Sequence, residues 1–193
     1  YRLDASIRSH PKAPEIILKY FPKVSTFNIR DSNLSPDFAE SMKTFNEFYE
    51  KSSLKTDIDG IIALDTDFLV HVIDILGEVQ AAGQTFTAKN DERCNCPQVV
   101  YQLELNTTKP VGHVLTNRKA IVGELLYQTM KKALSVSPKL YWGKLFQAAI
   151  VDANEKHILF SVENPGAQKG LEALNWAGRI KSFEGDYLHI NDA

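Results

Sequence analysis

The sequence is poor in cysteine and carries almost no excess of charge of one sign. Its two cysteines, Cys94 and Cys96, flank one asparagine, and no second pair completes the four ligands of a structural zinc site. The 22 basic and 24 acidic side chains leave a formal net charge of −2, so no broad positive field attracts nucleic acid. A zinc finger is excluded and a general nucleic-acid binder is disfavoured. The cysteines are either two loop thiols or one local disulfide.

Long apolar runs and the common enzyme motifs are also missing. No stretch of about 18 apolar residues predicts a transmembrane helix. The sequence contains no Gly-x-Ser-x-Gly elbow, Walker loop, Gly-x-Gly-x-x-Gly fingerprint or His-Glu-x-x-His helix. Ligand-like spacings of histidine and carboxylate are not found, which gives a metal-dependent hydrolase little support. The chain opens at Tyr1 without a signal peptide, and we expect a fragment of a longer protein whose other parts hold a membrane anchor.

The length and the periodicity indicate one α/β domain. With 193 residues the chain is long enough for one apolar core, and we predict a single domain over 1–193. Apolar residues recur with a period that switches between two and about 3.6, which is typical of strands alternating with helices. We therefore expect a mixed central sheet with helices packed on its faces. Residues 87–98 are predicted to form a loop, and 99–105 fit either a strand or a helix. Strands are predicted over 1–8, 24–29, 60–64, 158–162 and 187–190.

Capping residues and prolines mark the predicted helix starts. Ser35-Pro36-Asp37 combines a hydroxyl cap, a proline and a carboxylate at the start of a helix to about residue 51. Asp65 begins a second helix, which Gly77 ends. Asp37 and Asp65 are better explained as helix-start carboxylates than as catalytic groups, and we expect His71 to be structural. Further helices are predicted to end at 20, to span 117–135 and to begin at 137 and 164, with the helices on either side of 136 packed as a hairpin.

Several segments resemble one family, in the same order along the chain. Residues 27–33 (FNIRDSN) and 35–38 (SPDF) resemble the central motif of domain-of-unknown-function family 4012. Residues 59–65 (DGIIALD), 87–90 (TAKN), 176–178 (WAG) and 186–188 (DYL) follow as in that family. The resemblance covers nearly the whole chain apart from the family's opening segment. It implies an extracytoplasmic domain of the cell envelope that is tethered to a bacterial membrane and has no established activity.

A more distant resemblance is to the LytR-CpsA-Psr family, which transfers glycopolymers from polyprenyl pyrophosphate carriers onto peptidoglycan. Residues 29–31 (IRD) are similar to the Pro-Arg-Asp turn of that family, and 65–79 are similar to one of its helices. Residues 117–119 (NRK) lie where that family carries an Arg-rich signature. The resemblance implies an α/β/α layer arrangement, with a polyprenyl-phosphate lipid carrier or a cell-wall glycan as the partner.

Arg30, Asp31 and Arg118 are the candidate catalytic residues on this resemblance. If the two arginines converge, their guanidinium groups can hold the oxygens of a pyrophosphate through paired hydrogen bonds. Asp31 would then hold a Mg²⁺ ion that bridges those oxygens, while an acceptor hydroxyl attacks phosphorus. The alternative is structural: Asp31 caps its own turn, Arg30 pairs with a neighbouring carboxylate, and Arg118 lies in the exposed first turn of a helix.

The two resemblances together imply an envelope domain that binds or transfers a polyprenyl-pyrophosphate-linked glycopolymer. The rival prediction is a non-catalytic binding or scaffold domain, in which a surface loop such as 87–98 meets a protein or glycan partner. A transferase of this kind needs an apolar channel for the prenyl chain. A scaffold domain has no such requirement.

Overall fold

The computed structural model describes residues 2–21, 23–108, 120–181 and 184–185. None of the helices in these ranges has the length and apolar character needed to cross a membrane. A short 3-10 helix spans Ile29–Asp31. The α-helices are α1 (Arg2–Ala5), α2 (Glu15–Tyr20), α3 (Phe38–Tyr49), α4 (Thr66–Leu76), α5 (Gln98–Thr108), α6 (Ala120–Ser135), α7 (Pro138–Glu155) and α8 (Pro165–Ala173).

The strands are short and form small sheets. They are β1 (Gly60–Leu64), β2 (Val79–Ala81), β3 (Gln84–Phe86), β4 (Asn90–Asp91), β5 (Cys96–Pro97) and β6 (Ile158–Val162). β1 pairs with β6, while β2 pairs with β3 and β4 with β5 in antiparallel register. The mixed α/β class is confirmed, but across the described ranges the strands make three two-stranded sheets rather than one central sheet. The strand predicted at 187–190 lies outside the described residues.

The chain divides into two compact units, residues 1–62 with 159–193 and residues 63–158. Each unit has its own cluster of buried apolar side chains. In the first unit the cluster consists of Ile7, Ile29, Phe48 and Tyr49. In the second unit it consists of Ile73, Val79, Ala81, Phe86, Val99, Leu103, Ile121 and Leu125.

The prediction of a strand over 1–8 is wrong, because the segment forms α1 and a turn. Leu3 and Ile7 are four residues apart, a spacing that fits a helix as well as a strand, although α1 itself ends at Ala5. Buried Asp4 ties this segment to the rest of its unit. Its Oδ1 accepts a hydrogen bond from Ile29 N at 3.0 Å and lies 3.1 Å from His10 Nε2.

The prediction of a strand over 24–29 is also wrong. Extended pairing is limited to a single bridge between Lys12 and Thr26. Beyond it, Asn28 and Asp31 form a capping box, in which each side chain meets the backbone of the other residue. This box turns the chain into the 3-10 helix and ends the extended segment.

The helix starts at Asp37 and Asp65 are confirmed. Asp37 is the N-cap of α3, and its Oδ1 accepts hydrogen bonds from Ala39 N and Glu40 N. Ser35, the predicted cap, instead accepts a bond from Asp37 N through its Oγ. Asp65 caps α4, and Gly77 ends that helix with a φ of 79°, a left-handed value that glycine adopts without strain.

The predicted loop at 87–98 contains the strands β4 and β5, and Cys94 and Cys96 form a disulfide within it. Residues 99–105 are helical, as part of α5. The predicted hairpin of two successive helices does not form, because α7 packs mainly against α4, whereas α6 packs against β2 and α4. The separation of α6 from α7 leaves space between them on the surface of α4.

Gly178 shows how closely the chain packs in the first unit. Its φ is 58°, and an added Cβ would lie 2.7 Å from Phe38 Cβ. The approach is fixed by a 3.0 Å hydrogen bond from Phe38 N to Gly178 O. Only glycine satisfies both the backbone angle and this contact.

Candidate functional site

Arg30 and Asp31 lie together in the 3-10 helix. Asp31 Oδ2 accepts hydrogen bonds from Asn28 N at 3.3 Å and from Asn28 Nδ2 at 3.2 Å. Arg30 Nε lies 3.6 Å from Asp31 Oδ1. The capping role expected in the structural alternative is therefore present, while the roles in phosphate and Mg²⁺ binding stay predictions. Arg118 lies outside the described residues, so its distance from Arg30 is not defined.

A second group of polar side chains occurs at the start of α4, where Asp65 has two functions. Its Oδ1 accepts the capping hydrogen bonds from Asp67 N at 3.0 Å and Phe68 N at 3.2 Å. Its Oδ2 accepts a 2.7 Å hydrogen bond from His157 Nδ1. The backbones of the same two residues also pair, since Asp65 N donates to His157 O at 3.2 Å. The imidazole is thus held beside the carboxylate by two independent contacts.

His157 is surrounded by negative charge. Besides Asp65, it has Asp67 Oδ2 at 3.5 Å from Nδ1 and Glu155 Oε2 at 3.7 Å from Nε2. The hydrogen bond to Asp65 raises the pKa of His157 above its usual value. Partial burial opposes this effect, and the charges of Asp65, Asp67 and Asp152 add to it.

A second histidine-carboxylate pair lies next to the first. His71 Nδ1, on α4, is 2.7 Å from Oδ1 of Asp152 on α7. The Asp152 carboxylate is fully buried, and its Oδ2 has no hydrogen-bond partner among the described residues. The backbone links the pairs, because His157 N donates to Asp152 O at 2.8 Å. The two imidazole rings meet edge to face, with centroids 6.3 Å apart.

An open hollow of about 330 Å³ lies beside His71 and Asp152. Its lining combines polar side chains, among them Asp74, Lys144 and Gln147, with apolar ones. His71 is half exposed there, so its Nε2 is accessible while Nδ1 is engaged by the buried carboxylate. A buried acid that orients a half-exposed imidazole can serve proton transfer or metal binding.

The space between α4, α6 and α7 is an apolar cleft of about 720 Å³. Asp65, Thr66 and Thr129 are the polar members of its lining. Asp65 therefore borders this cleft and also binds His157. The apolar lining consists of Leu64, Phe68, Leu69, Val72, Leu103, Val122, Leu126, Met130, Ala133, Leu145 and Ala149.

Sequence reasoning did not select His71, Asp152 or His157. His71 is separated from Asp152 by 81 residues and His157 from Asp65 by 92. No local spacing rule connects residues so far apart. The one local signal was the carboxylate pair Asp65 and Asp67, and it is also explained by helix capping.

Comparison with known proteins yields one family. Residues 5–94 match the family described as protein of unknown function, DUF4012. No curated protein and no solved structure matches the chain. The match confirms the resemblance seen at 27–38 and 59–90, and it ends before the segments 176–178 and 186–188. The resemblance to the LytR-CpsA-Psr family is not confirmed.

Proposed function

We propose that this chain, whose residues 5–94 match a family of unknown function, is an extracytoplasmic envelope domain that binds a polyprenyl-pyrophosphate-linked glycopolymer. The observation that carries the proposal is the apolar cleft between α4, α6 and α7. Its volume of about 720 Å³ lies within the range of about 300–1,000 Å³ that is usual for small-molecule sites. A cleft of this size accommodates part of a long prenyl chain.

The chemistry of the lining suits a hydrocarbon ligand. Val122, Leu126 and Met130 line the cleft from successive turns of α6, yet they are 44%, 41% and 56% exposed. Contiguous exposed apolar surface on a soluble domain indicates a binding surface. Each CH₂ group of a ligand buried there contributes about 0.8 kcal/mol, so a prenyl chain gains affinity with length.

The disulfide supports the extracytoplasmic placement. Cys94 and Cys96 are bonded to each other, and the chain has no further cysteine. Disulfides persist in oxidising compartments such as the bacterial cell exterior and are rare in the cytosol. The family resemblance implies the same placement.

Equilibrium binding of a fluorescent polyprenyl pyrophosphate tests the proposal. Leu126→Glu places a charge in the cleft, and Leu134→Glu is the matched control because Leu134 is an exposed leucine of α6 that does not line the cleft. We expect Leu126→Glu to weaken binding at least tenfold and Leu134→Glu to leave it unchanged. A wild-type chain that ignores the lipid, or two variants that behave alike, would refute the proposal and favour the scaffold alternative.

The predicted phosphate contacts are tested separately. If Arg30 and Arg118 hold the pyrophosphate and Asp31 a Mg²⁺ ion, Arg30→Ala abolishes lipid binding and leaves the melting temperature nearly unchanged. Arg30 is half exposed, so its loss costs little stability. Full binding by Arg30→Ala would show that Arg30 makes no phosphate contact.

A further inference from the structure

Three side chains with metal-binding atoms meet at the start of α4. One ligand atom from each of Asp65, Asp67 and His157 lies within 4.8 Å of the others. The side chains are 47%, 58% and 25% exposed, so a hydrated ion can reach them from solvent. All three belong to the same compact unit, residues 63–158.

Two of the distances between these atoms lie close to those around a bound ion. Two ligands that each lie about 2.1 Å from one ion, in tetrahedral or octahedral geometry, are about 3.0–3.4 Å apart. His157 Nδ1 is 2.7 Å from Asp65 Oδ2 and 3.5 Å from Asp67 Oδ2. Shifts of a few tenths of an ångström, well within the rotamer freedom of exposed side chains, bring both distances into that range.

The backbone fixes the positions of these residues before any ion binds. Asp65 follows β1 and caps α4, and its amide donates to His157 O. His157 N donates to Asp152 O after Lys156 ends α7 in the left-handed conformation, with φ of 75°. The imidazole is therefore held against the first turn of α4 by main-chain bonds as well as by its ring. Such preorganisation reduces the entropy lost when an ion binds.

The surroundings carry an excess of negative charge that is independent of the two exposed aspartates. Asp152 is fully buried, one of its oxygens has no hydrogen-bond partner in the described ranges, and the other holds His71 against His157. Burying a carboxylate with a single hydrogen bond is costly unless a nearby positive charge offsets it. Lys144 lines the hollow beside Asp152, and a cation at the adjacent cluster would add further positive charge.

We propose that Asp65, Asp67 and His157 bind a divalent transition-metal ion of the Zn²⁺ type. Two carboxylates and one imidazole form a mixed donor set that suits Zn²⁺ better than Mg²⁺, which prefers oxygen ligands alone. The ion takes the place of the proton on His157 Nδ1, which is lost to solvent from the imidazolium form or moves to Nε2 in the neutral ring. With three protein ligands, a fourth position stays open to water. This site is distinct from the Mg²⁺ site predicted at Asp31 and does not depend on the lipid.

Isothermal titration of the full chain with ZnCl₂, in the absence of lipid and reductant, tests the site. Asp65→Asn and His157→Gln each remove one ligand, and asparagine retains the capping oxygen. His10→Gln is the matched control, because His10 pairs with Asp4 at 3.1 Å and lies in the other unit. We expect one saturable Zn²⁺ per wild-type chain, at least tenfold weaker binding in both site variants, and a change of less than twofold in His10→Gln.

Two results would overturn the proposal. One is a wild-type chain that shows no saturable Zn²⁺ binding, and the other is a His10→Gln variant that loses as much affinity as His157→Gln. Circular dichroism of each variant without metal checks that the fold is retained. Because lipid is absent throughout, failure of the metal site and failure of the lipid-binding proposal are distinguishable.

Discussion

Two substitutions of Asp65 separate the structural role of its carboxylate from its chemical role. Oδ1 caps α4 by accepting from Asp67 N and Phe68 N, while Oδ2 binds His157. Asp65→Asn keeps an oxygen for the cap and removes the negative charge. Asp65→Ala removes both. The difference between the two variants therefore measures the cap.

The magnitudes follow from the exposure of the groups. Replacing an aspartate N-cap by alanine costs about 1 kcal/mol, with a range of about 0.5–2. The contact between Asp65 and His157 joins side chains that are 47% and 25% exposed, so solvent screening limits its contribution to about 0–1 kcal/mol. We expect Asp65→Asn to cost less than about 1 kcal/mol and Asp65→Ala to cost about 1–2 kcal/mol.

Urea denaturation at neutral pH without metal measures both values, because the variants are expected to share the wild-type dependence of unfolding free energy on urea. If Asp65→Asn destabilises the chain as much as Asp65→Ala, the cap contributes nothing. The charge beside His157 would then be the main structural role of Asp65, and asparagine would no longer be a neutral probe of the metal site.

One further pair of variants tests the packing, and a single variant tests a surface ion pair. Gly60→Ala should lower the free energy of unfolding by about 1–3 kcal/mol, because its Cβ would lie 2.6 Å from Ser161 O. Gly143→Ala, in open space within α7, should raise it by about 0.5–1 kcal/mol. A higher melting temperature in Gly60→Ala or a lower one in Gly143→Ala would contradict these expectations. The Arg93 hydrogen bonds lower the pKa of Asp91 to about 2, so the pair stabilises the fold above about pH 4 and loses that effect as pH falls through about 2. NMR titration of Arg93→Gln should show the Asp91 midpoint rising, and an unchanged midpoint would refute the assignment.

Local signals in the sequence were sufficient to predict the helices whose ends are set by nearby residues. The caps at Asp65 and Asn164 follow from bonds within three residues, and the end of α4 at Gly77 follows from the positive φ of that glycine. The segment 1–8 was mispredicted because its apolar residues satisfy two periods at once. Leu3, within α1, packs against the cluster that contains Ile29 and Phe48, and that contact is not visible in the sequence of the segment alone.

The polar cluster at the start of α4 could not be predicted either, because it also depends on contacts between residues that are far apart in the sequence. Local rules explained Asp65 completely as a cap, so nothing remained to indicate a second role for its other oxygen. That role requires His157, which α7 and its left-handed end bring back to the start of α4. The family match ends at residue 94 and so includes Asp65, Asp67 and His71 without Asp152 or His157. A carboxylate that caps a helix with one oxygen can therefore bind a distant imidazole with the other. A family match that ends before that imidazole does not reveal the second role.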